Sequence, residues 1–318
     1  LRRVKMNLKG KTVVITGGTG SFGHQMTDEL LKTSVGQVVL ITNCEEEIVD
    51  MQRTHTDQRI TFINADLRDR DRMFEVIHGD IVYHAGALKV IPFYEAYPME
   101  SVKTNIFGTT NIHDACIFNG VKKAIFISTD KAVNPINVYG MCKAMGEKLW
   151  LAPHHGETIF SAVRYGNVLN SRGSVIPFWL QCITEGKSLP ITDTRMSRFH
   201  LTLKQAIDFV FNATKSLQDG RIYVPILPAS NIMTIVEALA GPDYPHRIIG
   251  VRPGEKLAEV LVSEVEMRQT YIDLDRGYFI IHPFGVMRRD DVNEFTSENA
   301  TQLTVNELKE LLRSGGII

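Results

Sequence analysis

Hydrophobic and polar positions fall into two alternating regimes along the first half of the chain. Short apolar runs occur at Thr12–Thr16 (TVVIT), Val38–Ile41 (VVLI), Ile60–Ile63 (ITFI), Ile81–His84 (IVYH) and Ala124–Ser128 (AIFIS). Each is too short for a helix and rich in β-branched residues, so each predicts a strand. The stretches between them are longer, amphipathic and long enough for helices. That series predicts βαβ crossovers, and hence a doubly wound parallel sheet covered on both faces. After about Tyr165 the alternation weakens and Gly and Pro punctuate the chain, at Pro177, Gly186, Pro190, Pro225, Pro228, Gly241, Pro242, Pro245, Pro253 and Gly254. Such punctuation predicts short elements and loops rather than a second wound sheet. The expected division is a first domain over residues 1–168 and a smaller α/β domain over 169–318, with some interleaving of segments. Thr304–Ser314 predicts a final helix, opened by Thr304 with Glu307 three residues on, a capping box.

Composition narrows the classes. The 318 residues carry 35 Lys+Arg against 36 Asp+Glu, a formal net charge of −1, so no basic excess exists to displace counterions from nucleic-acid phosphates. At 44% hydrophobic and 22% charged, the composition is that of a globular protein. No run approaches the ~18 apolar residues of a membrane span, and the opening LRRVKMNLKG is charged, without the apolar core of a targeting signal. It reads as an extension ahead of the first strand. Cys44, Cys116, Cys142 and Cys182 stand singly, without metal-ligand spacing, and the paired His154 and His155 lack carboxylate neighbours. No metal site or disulfide framework is expected, and a reducing cytoplasmic compartment fits best.

Directly after the first predicted strand stands TGGTGSFG, with glycines at 17, 20 and 23 and helix-like residues from His24. Glycines there let backbone N–H groups at a helix N-terminus approach a pyrophosphate, so the strand–loop–helix context predicts a dinucleotide site on a Rossmann-type fold. Gly17, Thr19, Gly20, Ser21, Phe22 and Gly23 form its candidate phosphate loop. Thr42 and Asn43 end the second strand where the adenosine ribose belongs. An acid there would select NAD and an arginine NADP; neither stands at the tip, and Glu45, Glu46 and Glu47 read as the solvated face of a helix. Asp66 and Leu67, then Ala85, Gly86 and Ala87, are placed to line the rest of the dinucleotide.

Tyr139 and Lys143 form a Tyr-x-x-x-Lys pair, which a helix brings to one face. An ammonium beside a phenol lowers the phenol's pKa from about 10 and lets it act as a base. Upstream, Ser128-Thr129-Asp130-Lys131 closes the fifth strand, and ligands of open α/β sheets bind at such strand ends. Asp130 and Lys131 are the candidate acid/base couple.

Together these motifs resemble the extended short-chain dehydrogenase/reductase superfamily. Over Ser128–Tyr139 (STDKAVNPINVY), Ala87–Asn105 (ALKVIPFYEAYPMESVKTN), Arg164–Asn167 (RYGN), Met196–Phe199 (MSRF) and Arg252–Lys256 (RPGEK), the chain resembles the C5-inverting UDP-N-acetylglucosamine 4,6-dehydratase family. Lys131 is the mark of that branch, since retaining sugar-nucleotide dehydratases carry Glu at its position. The chain departs from the family pattern at Val90, usually histidine, at Gly86, usually alanine, and at Thr42-Asn43-Cys44-Glu45, where Ser-Arg-Asp-Glu is common. The resemblance implies NADP, with NAD as the alternative, tightly bound and recycled, and adds Lys89 and Asn105 to the dinucleotide set.

It further implies a redox-neutral elimination. Tyr139 takes the O4 proton as hydride leaves C4, Lys131 removes the C5 proton as a neutral amine, and Asp130, held protonated, donates to the departing 6-hydroxyl. Thr129 bonds the substrate near O4. Arg252 and Arg198 are the expected diphosphate ligands, with Glu255 beside them; Asn167, Ser174 and Val175 are placed near the diphosphate and uridine, Thr192 near the base and Lys89 at the sugar. Two rival readings remain: a UDP-sugar 4-epimerase, in which Asp130 and Lys131 would be idle, and a non-catalytic dinucleotide-binding protein. A homo-oligomer, dimer or hexamer, is expected, with a UDP-sugar as the small-molecule partner and neither nucleic acid nor membrane.

Overall fold

The five apolar runs become neighbouring strands of one sheet in the computed structural model, which describes residues 6–170, 174–285 and 292–318. The extension at residues 1–5 lies outside the described residues. The first half runs β1 (Thr12–Thr16), α1 (Ser21–Leu31), β2 (Gln37–Thr42), α2 (Glu45–Thr54), β3 (Ile60–Asn64), α3 (Arg70–Val76), β4 (Ile81–His84), α4 (Ile91–Ala96) and α5 (Pro98–Ser101). A turn of π-helix at Val102–Phe107 leads into α6 (Gly108–Phe118), then β5 (Lys123–Thr129), a 3₁₀ turn at Asp130–Ala132 and α7 (Val138–Trp150). There follow β6 (Ile159–Tyr165), β7 (Asn167–Val168), α8 (Val175–Thr184), β8 (Leu189–Ile191), β9 (Ser197–Leu201), α9 (Leu203–Lys215), β10 (Arg221–Pro225), β11 (Ala229–Asn231) and α10 (Ile232–Ala240). The chain closes with β12 (His246–Ile248), β13 (Val260–Val262), α11 (Glu264–Met267), β14 (Thr270–Asp273), β15 (Tyr278–Ile281), β16 (Phe295–Thr296) and α12 (Val305–Ser314).

The large sheet has the order β14-β15-β10-β6-β5-β4-β1-β2-β3. From β3 to β10 every pairing is parallel, and β15 and β14 add antiparallel strands at the far edge. Val13, Val14 and Ile15 of β1 are fully buried, as a strand covered on both faces requires, and this explains why these strands read as unbroken apolar runs. The order β3-β2-β1-β4-β5-β6 reverses direction between β1 and β4, which opens a crevice at the C-terminal strand ends.

The sheet is wider than the early apolar runs predict. Strands β10, β14 and β15 come from beyond residue 168 and pair with β6 and each other, so residues on both sides of that position build one core. A second apolar cluster gathers Trp179, Ile191, Ile235, Leu308 and Leu312, drawing α8, α10 and α12 into a smaller layer over the crevice side of the chain. The final helix is capped as its sequence predicts: Thr304 accepts from the Glu307 N–H, and the Glu307 carboxylate accepts from the Thr304 N–H.

Candidate active site

Gly17 has φ +65°, and a Cβ built on it would lie 2.7 Å from the Gly86 Cα. The loop after β1 therefore packs directly on the loop after β4, and only glycine satisfies both the backbone and the space. A Cβ on Gly23 would run into the Gly18 carbonyl, so α1 starts hard against the loop. Gly20 is its N-cap and no acid stands in the first turn, leaving the first N–H groups and the positive end of the helix dipole facing the crevice. A dinucleotide pyrophosphate fits this cradle, in which a side chain would fill the approach. One cavity of about 540 Å³ runs from Gly17, Thr19 and Gly20 past Thr42, Asn43, Asp66 and Leu67 to Ala85, Gly86, Ala87 and Lys89. It adjoins a second of about 480 Å³ through Ser21, Phe22, Ala85, Ala87 and Lys89.

Two members of the predicted dinucleotide set lie behind the wall instead. Asn105, 1% exposed, donates its amide to the Leu88 carbonyl and accepts from the Leu88 N–H, both at 2.8 Å. Its polar groups are consumed in fixing the Ala85–Lys89 segment. Gly23 provides helix-to-loop clearance. Conversely, Glu47 lines the cavity and accepts from Thr19 Oγ1 at 2.6 Å. The expectation of a purely solvated glutamate face is corrected there, because the third position of α2 turns back toward the glycine loop.

The second cavity is floored by the catalytic candidates. Thr129 ends β5, and the 3₁₀ turn after it aims Lys131 into the cavity while Asp130 stays beneath, fully buried. Asp130 Oδ1 accepts from Thr129 Oγ1 at 2.7 Å and from Lys131 Nζ at 3.1 Å, and its Oδ2 has no hydrogen-bond partner among the described residues. Glu259, 3% exposed, stands with Oε1 3.6 Å from Lys131 Nζ and 3.7 Å from Arg198 Nε. Burial draws the Lys131 pKa down, but the charges of Asp130 and Glu259 outweigh it and hold the ammonium well above its ordinary range. The expectation of a resident neutral Lys131 is thus corrected: it stands as an ammonium 3.1 Å from Asp130 Oδ1. Glu259 went unmarked in the sequence because it falls between the RPGEK loop and the apolar β13, where a lone acid carries no signal.

Tyr139 and Lys143 share α7, as their spacing predicts, and both line this cavity. Their coupling differs from expectation. Lys143 Nζ donates to the Ile127 carbonyl at 2.7 Å and lies 3.6 Å from the centre of the Phe126 ring; burial lowers its pKa to about 7. Burial raises Tyr139 to about 12, moderated by the charge of Lys131 and a hydrogen bond with Thr129. Tyr139 is a phenol here, and the cation acting on it is Lys131.

On the substrate side, Asn167, Ser174, Val175, Thr192, Arg198, Arg252 and Glu255 line one cavity. Arg198 is spent internally, donating to the carbonyls of Ser197, Leu257 and Lys256 at 2.7, 3.0 and 3.0 Å; it clamps a loop and is corrected as a diphosphate ligand. Arg252 is half exposed, its Nη1 3.8 Å from Glu255, and keeps its donors for a ligand. Lys256, not singled out by its motif, also lines the cavity and donates to the Val133 carbonyl at 2.5 Å. Among the described residues no group of three His, Cys, Asp or Glu is placed to hold a metal, and no helix is long and apolar enough to cross a membrane.

A family model described as polysaccharide biosynthesis protein matches residues 13–281. The chain belongs to that family. Among relatives, it is 42% identical over 281 residues to a Campylobacter jejuni (serotype O:23/36, strain 81-176) protein named UDP-N-acetylglucosamine 4,6-dehydratase (inverting), spanning 86% of this chain and 83% of that one. It is 39% identical over 327 residues to a Rickettsia prowazekii (strain Madrid E) protein named UDP-glucose 4-epimerase, spanning 95% of each. The solved structure of Pen from Bacillus thuringiensis superposes with a TM-score of 0.92 at 32% identity, covering 98% of this chain and all of that one. In this member of the polysaccharide biosynthesis family the conserved scaffold thus carries, beside the tyrosine–lysine helix, the ion-paired Asp130 and Lys131.

Proposed function

We propose that the protein is a C5-inverting UDP-N-acetylglucosamine 4,6-dehydratase that forms a UDP-linked 4-keto-6-deoxy-N-acetylhexosamine. The observation that carries this reading is the Asp130–Lys131 pair, 3.1 Å apart at the cavity floor, a couple able to take a C5 proton and protonate a departing O6, two transfers that simple 4-epimerisation does not make. The name of the 42% identical relative supports it. The epimerase reading is favoured by the Rickettsia relative of nearly equal similarity, and it needs Tyr139 as base but no proton transfer at C5 or O6.

Gly17, Gly20, Ser21 and Phe22 would hold the pyrophosphate of a nicotinamide dinucleotide, with Thr42, Asn43 and Asp66 toward its adenosine. When bound, that group accepts a hydride from C4 of the sugar and returns one to C6. Tyr139 takes the O4 proton, for which its phenol must first ionise; the positive charge of Lys131 and the Thr129 hydrogen bond are the groups that lower the cost. Arg252 supplies a cation for the diphosphate. The resulting 4-ketone acidifies C5–H. A single proton shift from Lys131 Nζ to Asp130 then produces both an amine able to take the C5 proton and a carboxylic acid able to protonate the departing O6. Elimination of water returns the pair to ammonium and carboxylate. Reprotonation of C5 on the opposite face inverts that centre.

The test is incubation of the purified protein with UDP-N-acetylglucosamine in deuterium oxide, followed by mass spectrometry and proton NMR. Loss of water with deuterium at C5 and an inverted coupling pattern is expected. Unchanged skeleton mass with gluco-to-galacto conversion would mean epimerisation and overturn the dehydratase reading.

A further inference from the structure

We infer that this chain selects the unphosphorylated dinucleotide, NAD, over NADP, with Glu47 as the specificity-determining residue. The inference rests on the dinucleotide cavity of the proposed function, and it holds for dehydratase and epimerase chemistry alike. It opposes the NADP use that the family resemblance implies.

A 2′-phosphate on the adenosine ribose is a phosphomonoester, and Rossmann-type sites that accept it place an arginine near the tip of the second strand. Here the tip carries Thr42 and Asn43. Thr42 Oγ1 accepts from the Cys44 N–H at 3.3 Å and lies 3.1 Å from Thr19 Oγ1, whose one proton goes to Glu47, while the Asn43 side chain hydrogen-bonds Asp66. Neither is a cation. A helix N-terminus next to the ribose would ordinarily welcome a phosphate, yet the first turn of α2 consists of Glu45, Glu46 and Glu47. Their charges cancel that dipole.

Glu47 is the one that reaches the cavity, its carboxylate 2.6 Å from Thr19 Oγ1 on the glycine loop. The charge balance around it is adverse to an added dianion. Glu47, Asp66 and Glu100 line the cavity against Arg68 and Lys89. Arg68 is occupied at both ends of its guanidinium, 2.6 Å from Asp66 and 3.1 Å from Glu100, and Lys89 stands at the junction with the substrate cavity. A ribose with free hydroxyls, in contrast, donates to carboxylates, so Glu47 and Asp66 suit the unphosphorylated form. Like charges in so narrow a site disfavour the phosphorylated one strongly.

Two measurements on the full chain test this. Dinucleotide released by heat from the purified protein is identified by mass spectrometry, and binding of NAD and NADP to stripped protein is titrated by calorimetry for wild type, Glu47→Gln and the double variant Asn43→Arg/Glu47→Gln. Glutamine retains an acceptor for Thr19, which keeps the loop packed. The expected results are NAD as the released species, wild-type affinity for NAD at least ~10-fold above NADP, a ratio within ~3-fold for Glu47→Gln, and NADP preference in the double variant. Equal or tighter NADP binding by wild type, or a ratio that Glu47→Gln leaves unmoved, overturns the inference. Binding of neither dinucleotide overturns the cofactor reading itself as well.

Discussion

Replacing Lys131 by methionine probes the charge arrangement of the site most directly. Its ammonium lies 3.1 Å from Asp130 and 3.6 Å from Glu259, whose side chains are 1% and 4% exposed. Without it, two buried carboxylates are left to Arg198, 3.7 Å from Glu259, and to Lys256, whose Nζ is committed to the Val133 carbonyl. Breaking a buried ion pair by removing one partner costs about 3–5 kcal/mol. The lysine side chain is 22% exposed, so the lower end, about 3 kcal/mol, applies, equivalent in a chain of 318 residues to a fall in Tm of roughly 4–5 °C. Adding Glu259→Gln removes one of the stranded charges and should recover part of that loss, with a coupling of about 1–3 kcal/mol in the double-mutant cycle. The pH dependence has a definite sign. In the wild type the raised Lys131 pKa means its stabilisation is fully present below the unfolded-state pKa near 10.4 and is lost only at more alkaline pH. Lys131→Met lacks that alkaline loss, so its deficit against wild type should shrink only as the pH rises past about 10. Differential scanning calorimetry of the four proteins from neutral to alkaline pH is the assay. A Tm within about 1 °C of wild type, or strict additivity of the two substitutions, would refute the network.

Three further outcomes are expected. The phenol of Tyr139, pushed up to about 12 by burial, should show no ionisation step below pH 11 in the 295 nm difference titration between wild type and Tyr139→Phe in the absence of ligand; a step near pH 8 would contradict the burial-dominated site. Lys143, lowered to about 7 by burial, binds fewer protons folded than unfolded between pH 7 and its ordinary pKa near 10.4, so stability should rise with pH there, by at most ~1.4 kcal/mol per unit, and denaturant unfolding of Lys143→Met should lack that limb. Gly17→Ala forces a side chain into a φ +65° backbone and onto Gly86; it should cost about 1–3 kcal/mol in urea unfolding and lower dinucleotide affinity at least ~10-fold in calorimetry.

Much of this molecule is legible in local pattern. The strands of the parallel half announce themselves because both faces are buried, and the glycine loop and Tyr139–Lys143 spacing follow from helix geometry alone. What escapes is set by tertiary pairing. Arg198 looks like a ligand for phosphate until three carbonyls claim it, and Asn105 looks like a cofactor contact until it closes two bonds on Leu88. Glu47 and Glu259 show the opposite error: acids with no neighbouring motif that folding carries into a cavity. The strands β10, β14 and β15 are obscured because Gly and Pro punctuate the sequence around them.

Two of the misread residues, Arg198 and Glu259, share a location that explains them. Residues 252–266 return from the second half of the chain and are fastened to the first half at separate points. The Gly254 carbonyl accepts from Asn137 at 2.8 Å, Lys256 donates to Val133, Arg198 holds the Lys256 and Leu257 carbonyls, and Arg164 bonds the Leu261 carbonyl at 2.9 Å. Arg164, 1% exposed, also spans Glu147 of α7 and Glu266 of α11 at 2.6 and 2.9 Å. Glu147 in turn lies beside Lys143, whose ammonium it favours. The same returning segment therefore brings Arg252 and Glu255 to the substrate cavity, sets Glu259 against Lys131, and braces the helix that carries Tyr139. Its buried charges contribute little net stability against an apolar equivalent; their value lies in fixing one relative position for the acid/base couple and the phosphate-binding loop. That requirement is the physical reason why a second-half segment, unremarkable in its own hydrophobic pattern, adds the charge of Glu259 to that of Asp130 in holding a first-half lysine as the ammonium.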